Sequence, residues 1–438
     1  MLECTEDMFE VLNKAKQLVN NVEIYRERGK EFPVVFKANN FYTAQRKDFD
    51  GIGIRVIHKG KMGFANTTKI EACGAVIEDA KNASEFGEVA RFEFPSRVKV
   101  KNIPIFSKGI RKIENEAIKE RIRQFIKSIT DADSDAKVDI EYTRGEREIS
   151  LVNSSGLDVR YDESYVSIST SIFLVIEDSM TWITSRKISP RRISISKKET
   201  RELKRKVKLS KRTVPLESGE MSVVIMPSVM VNLLRSFSQG ANGSLLQKGA
   251  SPLKGKEGKK LIDKRVTMYD DAIKDWGVGS RPFDDEGIKT GKIPIFKKGV
   301  FKNFLFDLQT AGMLDRKSTG SAMRGYDSTP SPGISNFIVS PGKWTVAEMI
   351  KDIKKGIIVH SIIGGGQSNI LAGDFSGNVS LGFRIHNGKI TGRVKNTMIA
   401  GNAYEAMNNI EGIGKNVKNY GNFYTPAFYF KSLNVVSR

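Results

Sequence analysis

A chain of 438 residues exceeds what one ordinary core encloses, so two or three domains are expected. With 39% hydrophobic and 28% charged residues, the composition is that of a globular protein and excludes a disordered or fibrous one. Lys and Arg outnumber Asp and Glu by 71 to 50, giving a net charge of +21. Those bases are scattered, so the excess by itself selects no partner.

In chain order, Met8, Val11, Leu12, Ala15, Leu18 and Val19 predict a helix over 5–20 with Thr5 as its N-cap. Short strands are expected at Glu23–Arg26 and Val34–Lys37, then a β-hairpin over 51–66 turning at Lys59-Gly60. Helical spacing returns over 69–86. A further helix over 114–129 turns Ile118, Ile122, Phe125, Ile126 and Ile129 inward. From Ala136 to Thr184 the period becomes two, and turn chemistry at Arg144-Gly145 and at 154–156 divides the stretch into four strands of an antiparallel meander. The basic run Arg201–Arg212 lies on a candidate helix and leads to a boundary before Pro215.

The second half begins with a strand at 222–225 and an apolar helix at 228–237. A loop with unusual dihedrals is expected around Gly249, Gly255 and Gly258. Hairpins are expected over 292–307, turning at Lys298-Gly299, and over 379–393, turning at Asn387-Gly388. Between them a helix over 345–355 ends with Gly356 as its C′ residue, and the last strand covers 423–435. The fold class read from this pattern is α+β. Residues 1–212 form a domain of helices packed on an antiparallel sheet, and residues 213–438 form a mostly antiparallel β domain.

The chemistry on offer is sparse. Longest apolar runs such as Ile172–Ile176 are far short of the ~20 residues of a membrane helix, and the opening Glu3, Glu6 and Asp7 give no sign of a secretory leader. Cys4 and Cys73 form no disulfide framework, which suits a reducing cytoplasm. His58, His360 and His386 are the only histidines, and none has a second His or a Glu one helical turn away, so no HExxH-type zinc site exists. The basic run lacks interleaved aromatics, and no nucleic-acid-binding motif occurs, so nucleic acid is not among the expected partners. Asp284, Asp285 and Glu286 form a compact acidic cluster whose simplest reading is a solvated turn. The glycines of IIGGGQSN have no Walker lysine after them; they suit a strand that backbone must approach closely, including a bound extended peptide.

Several long motifs then resemble one family, in order and over nearly the whole chain. They are GIGIRVIHKGKMGFANTT near the start, QKGASPLKGKEGKKL at 247–261, RPFDDEGIKTGKIPIFKKGVFKNFLFD, and GGGQSNILAGDFSG followed by IHNGKITGRVKNTMIAGN. These are similar to the TldD/PmbA family of metallopeptidase subunits, and the last is closest to its PmbA (TldE) branch. In TldD-type members a helix bearing HExxxH binds zinc. Aligned on Leu233-Leu234, the two histidine positions hold Arg235 and Gly240, and the glutamate position holds Ser236. No His or Glu lies between Met221 and Lys256, and no Cys follows Cys73 to act as the third ligand. The resemblance therefore implies a cytoplasmic subunit with no metal and no cofactor of its own. It would dimerise, with itself or with a zinc-bearing TldD-like subunit, and shape a cavity for unfolded or modified peptides. Gly364, Gly365, Gly366 and Gln367 are its candidate peptide contacts. Two other readings stay open. One is a self-sufficient peptidase with a metal on Asp284, Asp285 and Glu286; the other, following the family's older association with DNA gyrase, is a regulator of a nucleic-acid enzyme.

Overall fold

The computed structural model describes residues 3–99, 101–176, 179–364 and 368–437. Its first half is built on a seven-stranded sheet. The strands are β1 (Asn21–Lys37), β2 (Asn40–Ala44), β3 (Lys47–His58), β4 (Lys61–Thr67), β5 (Lys137–Asn153), β6 (Asp158–Ile176) and β7 (Ser179–Ser189). Their order is β4-β3-β1-β5-β6-β7, with β2 added to the far end of β1, and every neighbouring pair is antiparallel.

Two strands are longer than the apolar pattern predicts, for one physical reason. The two short runs at 23–26 and 34–37 are a single strand, because the polar middle of β1 is held by cross-strand ion pairs rather than by burial. Arg28 pairs with Glu148 at 2.9 Å, Lys30 with Glu146 at 2.9 Å, and Glu27 with Arg147 at 2.8 Å. The turn expected at Arg144-Gly145 does not exist, and β5 runs straight through it opposite Val166 and Tyr165 of β6. A Cβ on Gly145 would lie 2.6 Å from the Tyr165 ring, so this glycine serves close approach and not reversal. The meander accordingly has three long strands where four short ones were expected.

Helix α1 (Glu3–Leu18) starts two residues before Thr5, which therefore lies inside it. With α2 (Cys73–Ala83) it packs Met8, Leu12, Cys73 and Ile77 on Val22, Ile24, Ile54 and Val56 of the sheet. Helix α3 (Asn115–Thr130) buries all five expected positions, and α4 (Lys197–Ser210) carries the basic run above a buried Leu203 and Val207.

The second half is a closed barrel around a helix. Strand β8 (Gly219–Ile225) pairs with Phe428–Ser437, which pairs with Thr397–Asn402, then Asp374–His386, then Lys355–Ile363, which returns to β8 in parallel. Helix α5 (Pro227–Gly240) sinks Met230, Leu233, Leu234 and Phe237 into this core. Alternation along β8 sends Val223 and Ile225 to that core. Val224 goes to a second core, which it shares with α3, α4 and the far end of the first sheet. A six-stranded sheet that includes Met268–Asp271, Lys292–Lys297 and Phe337–Val339 flanks the barrel.

Three local expectations are corrected. The helix after Thr345 stops at Asp352, and Gly356 belongs to the next strand, where it lies against Ser222. The return arm of the 292–307 hairpin is only Val300–Phe301, after which Phe304, Leu305 and Phe306 turn into the core. The last strand is interrupted at Pro426, which has no N–H for a ladder. The turns at Lys59-Gly60, Lys298-Gly299 and Asn387-Gly388 stand as expected, all with left-handed φ, as do Gly249, Gly255 and Gly258. Among the described residues no helix is long and apolar enough to cross a membrane.

Candidate functional site

The three positions aligned with a zinc motif sit at the C-terminal end of α5, in different surroundings. Arg235 is exposed, whereas Ser236 and Gly240 are buried. Tyr404 closes this end: its ring meets Phe237 at 4.7 Å between centroids, and its Oη donates to the Ser236 carbonyl at 3.1 Å. A Cβ on Gly240 would stand 2.7 Å from that Oη and 3.2 Å from Leu253, so the position has no room for an imidazole. Ser251 Oγ donates to the Gly240 carbonyl at 2.6 Å and finishes the helix end. A permanently protonated guanidinium, a hydroxyl and a glycine are not a donor set for zinc. These residues do not fit the metal.

The opposite end of α5 faces the strand that leads into Gly364. The ladder between β8 and Lys355–Ile363 ends at Val359, where β8 passes into α5 and the Met226 N–H donates to the Val359 carbonyl. Ser228 Oγ donates to the His360 carbonyl at 2.7 Å. From Ser361 to Ile363 the strand keeps its partner on the Asp374–His386 side, with register shifts that mark a bulge at His360 and Ser361. Beside it lies a crevice of about 320 Å³ between β6, β7 and α5. Hydroxyls and amides dominate its wall, among them Ser169, Thr184, Ser228, Asn232, Ser361 and Tyr420. His360 is held neutral: burial, then Lys206 and Lys418, push its imidazole well below the usual range. Lys206, itself buried near Lys418, is lowered to about 8. Gly364 has φ of 86°, which favours glycine, and Ile363 before it is exposed. Gly365, Gly366 and Gln367 lie outside the described residues.

The two candidate sites thus occupy opposite ends of one helix, about 20 Å long by its 14 residues. Gly373 lies at the Tyr404 end, where a Cβ would meet the Tyr404 ring at 2.6 Å. Tyr404, which seals the helix end, was missed by sequence reasoning. Its only signal was its place two residues after the Asn402 that closes the last motif.

The acidic triplet is not a solvated turn. Asp284, Asp285 and Glu286 are all buried, each with donors inside the fold, and the partner of Glu286 comes from the other half of the chain. Arg55 of β3 donates to Glu286 at 2.7 Å and to Glu23 of β1 at 3.0 Å, and Arg324 donates to Glu23 at 2.8 Å. Asp285 accepts from Arg281 and from the Arg324 backbone, each at 3.0 Å. Asp284 takes the backbone N–H groups of Glu286, Ile288 and Ala322. With Asp307 included, five carboxylates (Glu23, Asp284, Asp285, Glu286, Asp307) face three guanidiniums (Arg55, Arg281, Arg324). Burial, and Glu286 beside it, hold Asp284 up at about 8, so this excess of anions retains a proton. Every member already has an arginine or a backbone donor. Among the described residues no group of three or more His, Cys, Asp or Glu is placed to hold a metal ion.

Residues 218–437 match the PmbA/TldA metallopeptidase C-terminal domain, and residues 22–85 match PmbA/TldA metallopeptidase domain 1. The chain belongs to the PmbA/TldD family. It is 28% identical over 394 residues to an uncharacterized protein of Methanocaldococcus jannaschii, covering 87% of this chain and 88% of that one. It is 26% identical over 430 residues to the zinc metalloprotease TldD homolog of Saccharolobus solfataricus, covering 93% and 92%. Against a metalloprotease of Methanothermobacter thermautotrophicus the match is 31% over 213 residues, about half of either chain (48% and 46%). In fold it resembles the crystal structure of TldE from Thermococcus kodakarensis, with a TM-score of 0.89 at 22% identity over 98% of this chain and 100% of that one.

Proposed function

We propose that this chain is a zinc-free, TldE-like subunit of a cytoplasmic TldD/PmbA-type peptidase. It holds an unfolded or modified peptide while a zinc-bearing TldD-like subunit, bound to it as a heterodimer, supplies the hydrolytic water. One observation carries this reading: Gly240, aligned with an imidazole ligand, is closed off by Tyr404 and Leu253. A decayed site would leave a hollow where the ligand had been, whereas this one is packed. The peptide's place is the crevice beside Ser361–Ile363. There a strand has one flank free of the β8 ladder, and hydroxyls and amides can answer backbone N–H and C=O groups.

The test is to purify the chain alone, then with a TldD-type subunit from the same source, and to measure zinc content and cleavage of unfolded peptides in each. Hydrolysis is expected in the mixture, with zinc assigned to the partner. Stoichiometric zinc in the isolated chain, together with peptide cleavage by it, overturns the proposal and supports a self-sufficient peptidase.

A further inference from the structure

A hollow in the first half shares no lining residue with the crevice or with α5, and nothing above uses it. It lies between α3, α4 and the outer part of β5 and β6, with a volume of about 700 Å³. That is within the range of small-molecule sites. Its floor is apolar, formed by Ile122 and Phe125 of α3, Ile168 of β6 and Ile195 before α4. Its rim is cationic, with Arg121 on one helix and Lys197, Arg201 and Lys204 on the other. No Asp or Glu is among the described residues that line it.

A second observation is independent of that charge. Tyr142 of β5 lines the same hollow and is 3% exposed, and its Oη is buried with no hydrogen-bond partner among the described residues. An unpaired buried hydroxyl is costly, and among the described residues Tyr142 is the one hydroxyl so placed, the other unpartnered buried atoms belonging to Glu23 and to arginines. Burial pushes this phenol up to about 12, so it remains a donor at any physiological pH. A buried donor with Arg121 near it, and four cations in all, beside an isoleucine and phenylalanine floor complement one kind of molecule: an apolar chain bearing an anionic head.

We propose that the α3–α4 hollow is a binding site for a small amphiphilic carboxylate, with its aliphatic part on the isoleucine and phenylalanine floor and its head group among Arg121, Arg201, Lys204 and Tyr142. The α4 basic run then has a specific use, which the scattered charge elsewhere lacks. The site shares no lining residue with the peptide crevice, so its binding can be measured separately from peptide binding.

The experiment is calorimetric titration of the full chain with dodecanoate below its micelle concentration, with dodecanol and dodecyltrimethylammonium as head-group controls. Saturable binding at one site per chain is expected for dodecanoate, weakened about tenfold or more for both controls. The double variant Arg201→Glu/Lys204→Glu changes side chains at the rim and should abolish binding while leaving the urea midpoint within error. Tyr142→Phe keeps the ring and should weaken binding by about threefold to tenfold. Equal affinity for the three amphiphiles, or dodecanoate binding that survives the charge reversal, overturns the proposal. A double variant that loses both binding and its urea midpoint is replaced by Arg121→Gln, for which unchanged affinity is likewise a refutation.

Discussion

Replacing Arg55 by methionine tests how the two halves are locked together. Arg55 is 2% exposed, and its guanidinium lies against the rings of Phe92 and Phe94, 4.9 and 5.3 Å from their centroids. Methionine fills much of that volume, so the cavity contribution is small and the loss is electrostatic. Glu23 retains Arg324 at 2.8 Å, but Glu286 retains only the Leu308 N–H at 2.7 Å, so Glu286 bears the loss. Breaking a buried pair from one side costs about 3–5 kcal/mol. Burial already raises the Glu286 carboxyl, with Arg55 the chief opposing influence, so its removal raises it further. A carboxyl raised in the folded state stabilises below its unfolded value and loses that contribution as pH climbs through the folded one. The deficit of Arg55→Met should therefore be smaller at pH 5 than at pH 9. Adding Glu286→Gln should recover part of it at pH 9 and flatten its pH dependence. Urea unfolding of the three proteins across that range is the assay. A loss below about 1 kcal/mol at pH 9, or one indifferent to pH, refutes the locking argument.

Asp284 should contribute with the same sign. With Asp284 held up to about 8, the folded state carries a proton that the unfolded state releases near 4, so the urea midpoint should fall more steeply from pH 6 to 8 in the unaltered chain than in Asp284→Asn, Lys206 and His360 acting in the opposite sense equally in both; equal slopes contradict the retained proton. Gly240→His should neither bind zinc nor leave stability intact. It overpacks Tyr404 and Leu253 at a cost of about 1–3 kcal/mol or more, and stoichiometric zinc in that variant would show that the helix end can open. Gly145→Ala should destabilise by about 1–3 kcal/mol and largely recover when Tyr165 is also cut to alanine, because the clash is with that ring. If denaturant midpoints show the two changes to be additive, the close-approach reading of Gly145 fails.

What could be read from the sequence was local. The spacing of Ile118, Ile122, Phe125, Ile126 and Ile129 placed one face of α3, and all five are buried. Turns written as Lys-Gly and Asn-Gly declare themselves because few residues accept left-handed φ. What could not be read depended on distant partners. The charged middle of β1 looks like a loop until Glu146, Arg147 and Glu148 arrive opposite it, more than 100 residues later. Asp284-Asp285-Glu286 looks hydrated because the Arg55 that pairs with Glu286 and the Arg324 N–H that donates to Asp285 are both distant in sequence, and the nearby Arg281 alone gives no sign of burial. The same holds for the candidate site. The loss of zinc ligands was visible as residue types on α5, but the seal over Gly240 is made by Tyr404, 164 positions further on (404 − 240). The crevice takes its wall from β6, β7, α5 and the strand before Gly364, which no window of sequence contains together.

The Glu23–Arg55–Glu286–Arg324 lock also sets an order of events during synthesis. The last arginine of the set emerges 269 residues after Arg55 (324 − 55). At about 5–20 residues per second, a ribosome needs roughly 13–54 s to supply it. Through that interval the nascent sheet must keep Glu23 and Arg55 hydrated rather than bury them, and strand β1 can begin its ladder with β5 long before its charged end can be sealed. Completion of the first half therefore waits on translation of the second, which makes elongation rate, and not only sequence, a determinant of how much of this protein reaches its native state.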